Sequence, residues 1–483
     1  MNRKRLLLAV AALLLIAFSW WGVMTARSGL VVRHLEREGV PMLYVAPHNA
    51  EKIPGVLVAH GYAGSKQLML GYAHVLAHAG YAVMLWDFNS HGANPKPLEH
   101  GSLQQNLDVA HAAILEQPEV DSLRLALLGH SMGSGAVMSA GIQDVNRFAA
   151  TVAISPTGAN VRPLAPRNLQ LQAGSWEGSF VANAQRLLKA AGGENDKFVE
   201  GKARSFILIP NAEHITILFR DASHEAAKKW LNATFGLQGN SNYVDHRMIW
   251  YFLHLLGWLA LLGTVAPILS LPWSEHKLKV HQLSSWIGLL VAPFVASGVL
   301  VLLSRGGDIN SLGGLLVGGA VSIWFGVAGF VWLTVMSRLP RPTLQNVGLG
   351  VALFVVLWVA FGSMAQVVWL QWWLIPARLK LFPLMSLACF PWFLASGVAQ
   401  QGVGVGKRIL WWLGQSLVLI GGFILVLYLL PELGFIYLLL PLFPLVIGIF
   451  SYTGSLFKEP WSSAIGNALL FAWMLAAAFP LAS

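Results

Sequence analysis

A serine hydroxyl becomes a useful nucleophile only when the backbone presents it outward and a nearby base takes its proton. Ser131 stands in the pentapeptide Gly129-His130-Ser131-Met132-Gly133. The run before it, Leu123 to Leu128 (LRLALL), reads as a buried strand, and the small residues from Gly133 to Ile142 read as a helix start. A G-x-S-x-G between strand and helix is a sharp turn whose glycines leave room for the backbone, so the hydroxyl stands exposed above the sheet. The five residues alone also occur in ordinary glycine-rich turns. The flanking strand and helix are what make Ser131 a nucleophile here.

The base and its orienting acid have to follow later strands. His214 lies in Asn211-Ala212-Glu213-His214-Ile215-Thr216, directly after an apolar run at 205–210. Glu177 is the one carboxylate in Ala173-Gly174-Ser175-Trp176-Glu177-Gly178, after the run at 168–173. The chain order Ser131, Glu177, His214 matches the Ser…Asp/Glu…His order of a serine elbow on a parallel sheet. Glu194 and Asp196 lie further from a strand end, and Glu213 reads as a solvated neighbour of the base. A developing oxyanion needs two donors. The main-chain N–H groups of Tyr62, in His60-Gly61-Tyr62-Ala63-Gly64-Ser65, and of Met132 are the candidates, against a plain strand-to-helix turn. Asp87 and His91, in Trp86-Asp87-Phe88-Asn89-Ser90-His91-Gly92, are read as structural because Asp87 precedes the nucleophile and fixes a turn. His130 points away from Ser131 in a sharp turn, His60 is packed and hydrogen-bonded, and Asp108 is a surface or capping group on a helix.

The elements that position these residues alternate. Strand candidates fall at about 30–35, 41–46, 55–60, 81–87, 123–129, 150–155, 168–173 and 205–210, with helical patterns at about 66–79, 102–117, 132–145, 178–191 and 222–235. Two early strands followed by regular β-α alternation predict a mostly parallel, doubly wound sheet with an antiparallel N-terminal edge. Ligands bind such sheets beyond the carboxyl ends of the strands, where the residues above fall.

On these motifs, His60-Gly61, Asp87 to Gly92 (DFNSHG), Gly129 to Gly133 (GHSMG) and His214, the stretch from about Ile53 to Phe235 resembles the α/β-hydrolase superfamily. It is most similar to the esterase and dienelactone-hydrolase-like members. The resemblance implies a serine hydrolase working through an acyl-enzyme, with no metal and no organic cofactor. The chain departs from the usual pattern in having Glu as the acid. It also has only about 12 residues between Ser155 and Asn168, too few for a large lid. The resemblance does not reach the polytopic C-terminal half.

Composition divides the chain near residue 247. Charged residues are 11% and hydrophobic ones 55%, against roughly 25% charged in an ordinary soluble domain. The expected organisation is an anchor at 1–27, a hydrolase domain at 28–240 and an all-α polytopic membrane domain at 241–483. Arg3, Lys4 and Arg5 precede an apolar stretch from Leu6 to about Met24, longer than the 7–15-residue core of a cleaved signal and close to the ~20 a span needs. Further spans are expected near 248–270, 284–303, 312–335, 347–370, 381–399, 409–430, 434–452 and 462–481.

With the N-terminus in the cytoplasm, inner loops carry Arg3, Lys4, Arg5, Lys277, Lys279, Arg338, Arg341, Lys407, Arg408 and Lys458. Outer loops carry only Arg305, Arg378 and Lys380. This asymmetry puts the hydrolase domain and the C-terminus outside the cytoplasm, as in a bacterial inner membrane. Trp372-Trp373 and Trp411-Trp412 suit interfacial belts, and the glycine pairs at 313–314 and 318–319 suit close helix packing. Gln366, Gln371 and Gln415 read as helix–helix contacts, and no chain of ionisable residues marks a transport path. The lone Cys389 excludes an intrachain disulfide. The net charge of +10 is discounted as a nucleic-acid signal because many of the basic residues sit at span ends.

These readings converge on a membrane-bound serine hydrolase for ester or thioester bonds of lipidic or amphiphilic acyl substrates, with a membrane protein partner or oligomer left open. The rival readings are a peptidase or amidase using the same residues, and a transporter or scaffold with an accessory hydrolase.

Overall fold

The computed structural model describes residues 3–266, 281–336, 341–457 and 459–482. The chain divides into two compact units. One holds Ser19–Tyr251 together with Ala365–Gln371; the other holds Met1–Phe18, Phe252–Met364 and Trp372–Ser483.

The first unit is built on one eight-stranded sheet: β1 (Leu30–Arg37), β2 (Val40–Pro47), β3 (Ile53–Ala59), β4 (Ala82–Trp86), β5 (Val120–His130), β6 (Ala150–Ile154), β7 (Leu169–Gly174) and β8 (Arg204–Ile209). Their spatial order is β1-β2-β4-β3-β5-β6-β7-β8. The pairs β1–β2 and β2–β4 are antiparallel and every pair from β4 to β8 is parallel, as the sequence pattern predicts. The central strands are apolar on both faces because helices cover both. On one face, α2 (Leu70–His78) and α6 (Asp221–Phe235) pack on Val56, Val58, Val83, Leu85, Ala126 and Leu128. On the other, α3 (Ser102–Leu115) and α4 (Met132–Gln143) pack on Leu57, Met84, Trp86 and Leu127. Also on that side, α5 (Gly178–Ala190) and Met138 of α4 pack on Leu169 and Leu171. Fully burying each Val or Leu contributes roughly 1.5–3 kcal/mol, so the strand ends form a rigid floor for the loops above. The helix expected at 66–79 is divided: Lys66–Met69 forms a tight 3₁₀ turn before α2 begins.

The second unit is helical among the described residues. Beside α1 (Arg3–Thr25) it draws on α7 (Arg247–Val265), α8 (Gln282–Ser304), α9 (Gly318–Met336), α10 (Leu344–Val368), α11 (Pro376–Leu379), α12 (Phe382–Ala399), α13 (Val405–Leu429), α14 (Leu442–Phe457) and α15 (Pro460–Ala478). Eight described helices, α1 included, are long and apolar enough to cross a membrane. The expected span at 434–452 is instead a bent pair, Pro431–Leu439 and Leu442–Phe457, angled by 54°. The end of the expected 248–270 span, together with Lys277, Lys279, Arg338 and Lys458, lies outside the described residues.

Several interior details correct the sequence reading. The span expected from 312 starts at Gly318, after a turn in which Gly313 and Val317 have positive φ. A Cβ on Gly319 would collide with the Leu312 carbonyl oxygen, so that glycine serves the turn, while one on Gly318 would meet the Phe479 side chain at 3.0 Å. Trp411 is buried and stacked on Trp286 with ring centroids 4.0 Å apart. Gln415 donates to the Trp411 carbonyl one turn back on its own helix (3.2 Å). Arg378, expected in an outer loop, is buried and donates to the Ala476 carbonyl at 2.7 Å.

Candidate active site

Ser131 links β5 to α4 with φ 52° and ψ −120°. Such a backbone costs of order 1–3 kcal/mol and persists only where the surroundings enforce it. Close approach of the chain does so here. A Cβ on Gly129 would strike the Gly133 carbonyl, and one on Gly133 would sit 2.5 Å from the His60 carbonyl oxygen. The Ser131 N–H donates to the Ile154 carbonyl on β6 at 2.9 Å, tying the elbow to the sheet.

His214, the candidate base, lies in the loop after β8. His214 Nε2 lies 3.0 Å from Ser131 Oγ, and its Nδ1 lies 2.6 Å from Glu177 Oε1. A carboxylate only accepts, so Nδ1 carries the proton and Nε2 presents its lone pair to the serine hydroxyl. Glu177, directly before α5, is buried at 5% exposure. A buried carboxylate needs donors. Glu177 Oε2 has two more, the Gly174 N–H at 2.6 Å and the Ser155 hydroxyl at 2.9 Å. The structure thus brings Ser131, His214 and Glu177 into one hydrogen-bonded line.

Three residues beyond the sequence reading hold that line. Ser155, the first residue after β6, fixes the acid; its place at a strand end is the signal that could have found it. His130 Nε2 donates to the His214 carbonyl at 2.9 Å, with the two rings 4.7 Å apart, and so steadies His214. Burial, and then the neighbouring His214, hold His130 well below the ordinary histidine range, which keeps it neutral. Phe180, in the first turn of α5, stacks on the His214 ring at 4.5 Å and 25°. Glu213, half-buried, does more than border His214. Its carboxylate accepts from the N–H groups of Ile215 and Thr216 at 3.0 and 2.7 Å and caps the turn that carries the base.

Tyr62 and Met132 sit where an oxyanion could be met. Met132 is the first residue of α4, whose leading N–H groups have no partner within the helix. The loop leaving β3 lies against the elbow: a Cβ on Gly61 would be 3.1 Å from Ser131 Cβ and 2.8 Å from His130 Nδ1. His60 is buried, with Nδ1 donating to the Gly61 carbonyl (2.7 Å) and Nε2 accepting from the Phe88 N–H (3.1 Å). Burial keeps it below the usual histidine range.

Asp87 is structural. It accepts from the Lys66 N–H at 2.8 Å and the Ala93 N–H at 2.9 Å, and it pairs with the Lys66 ammonium. Burial alone would raise its carboxyl, but Lys66 and the neighbouring His60 together outweigh burial and leave it below the ordinary range. Asp108 pairs with Arg147 on the surface, and Glu194 accepts from the Phe206 N–H at the β8 edge. Among the described residues, no group of three or more His, Cys, Asp or Glu is arranged to hold a metal ion.

Residues 51–223 match the family model described as serine aminopeptidase, S33. The strand order, the elbow after β5 and this match agree. This part of the chain is an α/β-hydrolase domain. The chain is 33% identical over 91 residues to an uncharacterized protein of Mycobacterium tuberculosis, a match covering 19% of this chain and 32% of that protein. The chain therefore spans about a third of the length of that relative. Similar solved structures include a dienelactone hydrolase from Anabaena variabilis (20% identity, TM-score 0.35, covering 42% of this chain and 97% of that one). Another is the esterase Est22 (16% identity, TM-score 0.34, covering 44% and 82%).

Proposed function

We propose that the protein is a membrane-bound serine hydrolase that cleaves ester or thioester bonds through a Ser131–His214–Glu177 triad. The observation that carries this is the continuous line from Ser131 Oγ through both nitrogens of His214 to Glu177 Oε1, at 3.0 and 2.6 Å. His214 Nε2 takes the Ser131 proton as Oγ attacks the carbonyl carbon. The tetrahedral oxyanion is met by the N–H groups of Tyr62 and Met132. Glu177 stabilises the imidazolium, which then protonates the leaving oxygen or sulfur. Water, deprotonated by the same imidazole, releases the acid from the acyl-enzyme.

The substrate class follows from location. Eight apolar helices among the described residues fit a membrane protein, and a hydrolase tethered at a bilayer meets lipidic and amphiphilic acyl groups first. The basic residues flanking the spans favour a hydrolase domain on the non-cytoplasmic side of a bacterial inner membrane. Short- and long-chain acyl esters and thioesters offered to the full-length protein, with Ser131→Ala as control, test the reading. Turnover of these substrates lost in the variant supports it; equal turnover in both opposes it. A second reading, a peptidase, is favoured by the aminopeptidase description of the matching family. Preferential release of N-terminal residues from peptides over acyl esters would establish it.

A further inference from the structure

The loop proposed to hold the oxyanion ends in three consecutive buried residues, Ser65, Lys66 and Gln67, exposed by 2%, 5% and 4%. A polar side chain buried this deeply needs a partner. Lys66 has Asp87. The partners of the other two come from a remote part of the sequence. Ser65 Oγ accepts from the Gln371 N–H at 3.3 Å, and Gln67 Nε2 donates to Gln371 Oε1 at 2.6 Å. Gln366 Nε2 also donates to Gln371 Oε1 at 3.3 Å. Gln371 thus bonds to the oxyanion loop through both its backbone and its side chain.

Residues Ala365–Gln371 belong with the hydrolase unit although the rest of α10 belongs with the helical one. Trp369 packs against the core between the sheet and helices α2 and α6. Arg247, at the start of α7, donates to the Val367 carbonyl at 3.4 Å. The segment is therefore fixed independently of the amide pair. The loop it grips needs fixing: Ala63 within it has φ 53°, a conformation that persists only under external restraint. A backbone donor for an oxyanion is useful only if it is already aimed before charge develops.

We propose that Gln371 is a positioning residue for the oxyanion loop, so that the C-terminal half of the sequence completes the catalytic support of the N-terminal half. This rests on the reading of Tyr62 N–H as an oxyanion donor. Gln371 grips the loop from one side through Ser65 and Gln67, while Asp87 grips it from the other through Lys66.

Full-length Gln371→Ala and Ser65→Ala, in detergent or nanodiscs, decide the matter, with active sites counted by a fluorophosphonate and turnover measured on a short-chain p-nitrophenyl ester. The expected result is labelled Ser131 in both variants, KM within about twofold, and kcat per labelled site down about 10- to 100-fold in Gln371→Ala, by the sensitivity of catalysis to small displacements. Ser65→Ala, the milder change, should fall in the same direction and decides if Gln371→Ala does not fold. An unchanged kcat per labelled site, or a rise in KM alone, overturns the proposal while leaving the triad standing. Wild-type protein that takes no label overturns both.

Discussion

The two units bury polar side chains in different ways. In the hydrolase domain, buried polar groups reach across the sequence and converge at the carboxyl ends of strands: Ser131 with His214, His214 with Glu177, Glu177 with Ser155, and Lys66 with Asp87. Among the described residues of the helical unit, many of them fold back onto their own helix. Ser322 donates to Gly318, Ser386 to Phe382, Gln415 to Trp411, Ser416 to Trp412 and Thr453 to Ile449, each a carbonyl one turn earlier. In hydrocarbon this is the simplest way to satisfy a hydroxyl or amide. Convergence is what chemistry needs, and it is concentrated in the sheet-based unit.

Breaking a convergent contact should therefore cost activity, and breaking a local one should not. The largest effect is expected at His214: replacing it with Ala should lower ester turnover by several orders of magnitude, because nucleophile and base act as one unit. Glu177→Gln should cost roughly two to four orders while leaving the thermal midpoint nearly unchanged, since it removes the charge that orients the base and stabilises its protonated form. Near-normal turnover in Glu177→Gln would move the acid elsewhere. By contrast, Gln415→Leu should leave turnover within about twofold, a value set by the local character of its hydrogen bond. A deep loss there would erase the distinction between the units.

Two effects on stability sharpen the same contrast. Asp245 pairs with buried Arg247 at 2.6 Å, and Arg247 lowers its carboxyl below the ordinary range despite burial. Asp245→Asn leaves the guanidinium without its anion and should cost about 3–5 kcal/mol, read as a lower denaturation midpoint. The smallest effect is with pH. His60 and His130 are buried with pKa values below the ordinary one, burial being the main cause in each. Below pH about 6.5 the unfolded chain binds protons that the folded domain does not. Their contribution to stability is present above that pH and declines as pH falls below it. The thermal midpoint of the hydrolase domain should be lower at pH 5.5 than at pH 7.5; a higher one would contradict the neutral state assigned to these histidines.

The sheet was legible because its strands are apolar on both faces and separated by regular helical patterns. The elbow was legible because glycine at 129 and 133 has a steric cause. The residues the sequence did not reveal act through contacts without local signature. Ser155, His130 and Phe180 support the base and acid from three different elements, and no spacing rule joins them. The bonds of Gln371 to Gln67 and Ser65 escaped the sequence for the same reason: they join residues 304 and 306 positions apart. The bend between Pro431–Leu439 and Leu442–Phe457 was missed because hydropathy is continuous across it.

The central claim is that Ser131 is an activated nucleophile. Full-length protein treated with a fluorophosphonate should carry one label, located at Ser131 by peptide mass spectrometry. The label should vanish in Ser131→Ala and slow strongly in His214→Ala. Equal labelling of wild type and Ser131→Ala, or a label on another serine, would contradict it.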